Sequence, residues 1–174
     1  MIFTLLIVLA IILAIFWPEK EVFGNFLSTE IEKVEKYADQ STVLNDQVSK
    51  STVGWHLDHV LLVIGSIYKQ LESSDSSKYQ RKFNKIRTLV FTLNGIPRGR
   101  GKSPDRVYAK EDVSKEEIID RLKEVKATLT KFDSLPNGVY FDHPYFGMLT
   151  RAETKKFVKI HTNHHLKIVK DILK

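Results

Sequence analysis

Apolar residues recur along this chain at helical rather than strand spacing. Thr29 followed three residues later by Glu32 reads as a capping box and opens a short amphipathic helix to about Ala38. Ser51 or Thr52 starts a strongly apolar helix reaching roughly Ser73, and Ser76 or Ser77 starts another that ends near Leu93, before Asn94-Gly95. Ser114 with Glu117 opens a helix to about Phe132, and Thr150 with Glu153 opens the last one. No stretch sustains period-two alternation and no internal repeat is visible, so an all-α four-helix bundle is the predicted architecture.

The first residues follow a different pattern. From Met1 to Trp17 every residue except Thr4 is apolar. As a helix this run spans roughly 25 Å, at the short limit for a bilayer. A cleaved signal peptide is the rival reading, but there is no basic leading region and no small-residue cleavage site before Pro18. The expectation is therefore a single-pass N-terminal transmembrane helix over 1–18, a linker and short helix over 19–39, and a bundle domain over 40–174. Glu19, Lys20 and Glu21 nearly cancel, so the slight preference for an extracytoplasmic domain rests on the free amino terminus alone.

Composition narrows the chemistry. There are 174 residues and no cysteine, which excludes disulfides, thiolate metal sites and cysteine nucleophiles. The net charge of +6 is spread over interleaved acidic and basic residues, as on solvated helix faces, and no nucleic-acid partner is expected. Lysines 155, 156, 159, 167 and 170 read as the wet face of the last helix.

All six histidines fall in three short stretches, Trp55-His56-Leu57-Asp58-His59, His143-Pro144 and His161-Thr162-Asn163-His164-His165. At 100° per residue, Phe157, His161, His165, Ile168 and Ile172 lie within about 40° of one direction, so His161 and His165 face inward one turn apart. An i, i+4 pair of imidazoles on one face is the spacing by which a helix gives two ligands to one ion. His59 shares a face with Trp55 and Val63. His56 sits one turn earlier and about 60° away, and the choice between the two stays open, with His59 the better placed. His164 lies toward the rim, and His143 reads as part of a turn. The alternative is that these are core histidines bonded to carbonyls or carboxylates.

At this point the residues resemble a family. His143-Pro144-Tyr145-Phe146-Gly147-Met148-Leu149-Thr150, with Glu153 and His161-x-x-His164-His165-Leu166, looks like the C-terminal signature of the DinB-like (YfiT-like) superfamily of metalloenzymes. Within it, the match is to a branch of domains of unknown function. Val53-Gly54-Trp55-His56-Leu57-Asp58-His59 resembles that superfamily's first ligand motif. The resemblance covers roughly residues 40 to 174 and departs at Ile168, where relatives often carry Gln. It implies a four-helix bundle holding a divalent metal by His59, His161 and His165, with His56, His164, His143 and Asp142 as nearby or alternative groups. Zinc or nickel is the expected ion, iron or manganese the next. Relatives of this type are often dimers.

Three neutral imidazoles leave a 2+ ion its full charge and at least one open position, suiting a hydrolase or a thiol-dependent transferase acting on a small molecule, with a thiol among the expected partners. No general base is nominated: Asp58 points about 100° away from His59, and Glu153 is explained as a helix cap. A non-catalytic metal-binding or structural bundle is the alternative. A second alternative is anionic-ligand binding, to nucleic acid or lipid, through Arg98, Arg100 and Lys102 in the basic loop ending at Arg106. Its Gly101-Lys102-Ser103 lacks the earlier glycine, the strand and the helix start of a phosphate loop.

Overall fold

The computed structural model describes residues 26–99 and 107–174. Five helices and one two-stranded sheet follow in the order α1 (Ser28–Tyr37), α2 (Val53–Glu72), α3 (Lys85–Leu93), α4 (Lys115–Leu129), β1 (Tyr140–His143), β2 (Gly147–Thr150) and α5 (Arg151–Ile172), with short 3-10 turns between some of them. The chain is thus mixed, predominantly helical with a small sheet, which corrects the all-α expectation. Helix α2 is central, packed against α4 on one side and α5 on the other, while α1 rests on both α4 and α5.

Capping and periodicity account for most of these boundaries. The Thr52 side chain accepts the Trp55 N–H at 3.2 Å and starts α2. Reciprocal capping boxes, Ser114 with Glu117 and Thr150 with Glu153, start α4 and α5. On α4 the buried residues Ile118, Leu122, Val125 and Leu129 recur at helical spacing and face α2 and α1. Gly54, in the first turn of α2, is required by close approach. A Cβ there would lie 2.9 Å from the carbonyl oxygens of both Ser41 and Val113.

Several expectations are corrected. Helix α1 begins at Ser28 with no side-chain cap, so Thr29-x-x-Glu32 does not act as a capping box. The helix expected from Ser76 is only a 3-10 turn over Ser76–Lys78, and α3 starts at Asn84, whose side chain accepts the Arg87 N–H at 2.9 Å. The segment ending α4 stops at Leu129 rather than Phe132. Lys155 is not on the wet face: it is 5% exposed and ion-paired to Asp133 at 2.6 Å.

The hairpin was hidden because each strand has only four residues, too few for alternation to register. Its register pairs Phe141 with Leu149 and His143 with Gly147, leaving Pro144, Tyr145 and Phe146 as the loop. Gly147, the first residue after the loop, takes a φ of 69°, in the left-handed region that favours glycine.

The single-pass anchor and the membrane location drawn from it are also corrected. Among the described residues no helix is long and apolar enough to cross a membrane. Residues 1–17, on which that expectation rested, lie outside the described residues.

Candidate metal centre

The helical phases of α2 and α5 bring His59, His161 and His165 together. One imidazole nitrogen from each lies within 4.8 Å of the other two. Ring centroids are 5.2 Å apart for His59 and His161, 4.7 Å for His59 and His165, and 4.6 Å for His161 and His165. The three interplanar angles are 59°, 59° and 56°, so the rings are arranged with nearly threefold symmetry. Nitrogens sharing a tetrahedral zinc ion stand about 3.3 Å apart, so these need to close in by no more than about 1.5 Å.

Hydrogen bonds fix two of the three rings. His59 Nδ1 is 2.7 Å from the carbonyl oxygen of Val107, so Nδ1 carries the proton and Nε2 is left with a free lone pair. His165 Nδ1 is 3.0 Å from His56 Nδ1, and His56 Nε2 is 2.9 Å from Ser49 Oγ. A consistent proton assignment has His165 Nδ1 donating to His56 and His56 Nε2 donating to Ser49, which leaves His165 Nε2 bare. Ser49 Oγ also accepts the Ser51 N–H at 3.1 Å. The third ring differs, because His161 Nδ1 is buried and finds no hydrogen-bond partner among the described residues. Each of the three neutral rings nonetheless offers one nitrogen to the space they share, the arrangement of a three-imidazole site. This donor set therefore fits a divalent ion.

Electrostatics point the same way. Burial holds His161 and His165 well below the ordinary imidazole range, and the neighbouring histidines lower them further. Burial also lowers His59, opposed by its bond to the Val107 carbonyl and by Asp58. His56 is pushed down to about 4, by burial first and then by His59, His164 and Arg98. All four rings are thus neutral near pH 7, the state in which an imidazole ligates a metal.

The triad opens onto a cavity of about 700 Å³ whose wall also includes His143 and His164. His143 does not join the triad. Its Nδ1 accepts the Tyr145 and Phe146 N–H groups at 3.1 and 3.2 Å, its ring stacks on Phe146 at 4.2 Å, and its proton therefore sits at Nε2. Asp142, its neighbour on β1, is exposed and no part of the cavity wall. Asp58 points to the opposite side of α2, where Arg121 Nε meets it at 2.5 Å. Arg98 is engaged by Asp171 at 2.7 Å, while Arg100 and Lys102 lie outside the described residues.

Sequence reasoning missed Val107, Ser49 and Arg87. The first two act through contacts 48 and 7 residues away in the chain, which leave no local signature. Arg87, 5% exposed, donates to the carbonyls of Phe146 and Lys82 at 3.1 and 2.6 Å and so clasps α3 to the hairpin.

A family model described as protein of unknown function, DUF1569, matches residues 30–172. No curated protein and no solved structure matches the chain.

Proposed function

The chain belongs to the DUF1569 family, and we propose that it is a metal-dependent enzyme of DinB-like type, acting on a small molecule at a divalent ion held by His59, His161 and His165. The observation that carries this reading is the triad itself, at the end of a cavity that admits a ligand. The paired motifs around His143 and His161 support the DinB-like assignment. Zinc or nickel suits three imidazoles, with iron or manganese next.

An ion bound there supplies Lewis acidity to whatever occupies its open positions, which serves hydrolysis or transfer to a thiol. The chain's own contributions are separate from that. Val107 and His56 hold two rings in the tautomer that leaves Nε2 bare.

The test is metal analysis of protein purified gently and reloaded, followed by cobalt substitution. About one equivalent of ion is expected, and acetohydroxamate should change the cobalt visible spectrum. A protein that retains no ion overturns the site. An unchanged spectrum means a saturated ion that only staples α2 to α5, and overturns the enzyme reading.

A further inference from the structure

The wall of the cavity is unlike the rest of the molecule. Charged residues make up 28% of the chain, yet among the described residues no Asp, Glu, Lys or Arg lines this space. Its polar side chains away from the histidine end are chiefly Ser66 and Gln70, and the Gln70 amide is turned onto Ser66, donating to its carbonyl and hydroxyl oxygens at 3.2 and 3.3 Å.

One wall is the apolar stripe of α3. Ile86, Leu89, Val90 and Leu93 follow the i, i+3, i+4, i+7 pattern that normally packs into a core. Here Ile86 is 56%, Leu89 57% and Leu93 68% exposed. The helix is held in this attitude from its other side: the buried Arg87 guanidinium binds hairpin carbonyls, and Asn84 Nδ2 donates to the Tyr145 carbonyl at 2.9 Å. Phe141, Phe146 and Phe157 line the same cavity. Polar anchors thus fix a row of large aliphatic side chains along a cavity that aromatic rings also line.

Resting on the metal reading above, we infer that the substrate is a molecule with an uncharged, predominantly hydrocarbon body and a single metal-seeking group. The body lies between α3 and the hairpin, and the group meets the ion at the histidines. A charged body would lose hydration in this space and find no oppositely charged side chain among the described residues of its wall. An apolar one covers the α3 stripe and gains for every methylene taken out of water. The volume suits a molecule of ordinary drug-like size.

Alkyl hydroxamates of increasing length, titrated by calorimetry into the metal-loaded full chain, test this. Each added methylene should tighten binding about three- to fourfold. Octanohydroxamate, six methylenes longer, should therefore bind roughly a thousandfold or more tighter than acetohydroxamate, and a terminal carboxylate on the same tail should abolish the gain. Leu89→Asp with Leu93→Asp changes exposed positions and should flatten the length dependence while leaving acetohydroxamate within about twofold. A flat dependence in the unaltered, metal-loaded protein overturns the inference and leaves the metal site standing. So does a dimer that Leu93→Asp dissociates, together with a flat dependence, because the stripe then serves a second copy. If the protein retains no ion, the metal reading fails by itself. Tighter binding of 1-octanol than of ethanol to that metal-free protein would then still support the apolar cavity, and equal binding would remove it.

Discussion

Helices α2 and α5 both bring imidazoles to the cavity, but they prepare them differently. On α2, His59 is tied to the Val107 carbonyl and His56 to Ser49. On α5, His165 is oriented only through His56, and His161 Nδ1 has no partner at all among the described residues. One helix thus carries rings tied by hydrogen bonds, and the other carries a ring with a buried nitrogen that has no partner among the described residues. The difference separates two cases that a bare count of three histidines merges: a ring oriented by hydrogen bonds, and a ring oriented by packing alone.

Replacing one histidine from each helix by leucine should break this symmetry most sharply. Both His59→Leu and His161→Leu should lose the ion, and with it about 4 kcal/mol of stability at metal concentrations a thousandfold above Kd. The metal-free proteins should then diverge. His161→Leu removes an unsatisfied buried nitrogen and should leave the metal-free fold as stable or more so. His59→Leu strands the Val107 carbonyl and should cost about 1–3 kcal/mol. Denaturant melts of both variants with and without metal decide the matter, and equal metal-free stabilities would erase the distinction.

Acid should act on all the buried rings together. His56 has a folded value of about 4 against an ordinary 6.5, and His59, His161 and His165 are lowered in the same direction. Below pH 6.5 the unfolded chain binds protons that the folded chain refuses, so stability present above that pH is lost as the pH falls toward 4. His56 alone accounts for up to about 3 kcal/mol of this loss. Melts of metal-free protein between pH 7 and 4 should slope downward toward acid, and a level profile would contradict the burial of these rings.

A finer probe separates the ring behind the triad from the ring at its rim. His56→Ala leaves His165 Nδ1 without its partner and should weaken metal binding about 10- to 100-fold. His164, lowered by burial against the opposing effect of a backbone bond to Ile96, touches His165 edge-on at 5.2 Å and orients none of the three rings through a hydrogen bond. His164→Ala should therefore change metal affinity by less than about threefold. Competition against a chromophoric chelator measures both, and equal losses would show that His56 orients nothing.

How far these roles were legible beforehand follows from the range of the interactions. Inward facing of His161 and His165 is a property of one helix and its period, as are the capping boxes at Ser114 and Thr150. The bond from His56 to His165 spans 109 residues and that from His59 to Val107 spans 48, and no local pattern carries them. The hairpin and the start of α3 escaped for a related reason. Four-residue strands are below the reach of periodicity, and Asn84 caps α3 after an irregular stretch that reads as helix. Lys155 looked like a solvated lysine because Asp133, which buries it, lies 22 residues away.

The smallest effect concerns the neighbour of His59 on its own helix. Asp58 is 3% exposed, yet it faces away from the triad into a small pocket lined also by Glu117, Lys110 and Leu62, where Arg121 pairs with it. One residue along a helix turns the side chain by about 100°, enough to put a carboxylate and a candidate ligand in separate environments. Arg121 keeps about a third of its side chain exposed, so Asp58→Asn leaves that cation partly hydrated and should cost only about 1–2 kcal/mol. Metal affinity and the chain-length dependence of hydroxamate binding should both stay within about twofold of the unaltered protein. A large loss of metal in Asp58→Asn would mean that this carboxylate acts on His59 through the helix, and that the two faces of α2 are one site rather than two.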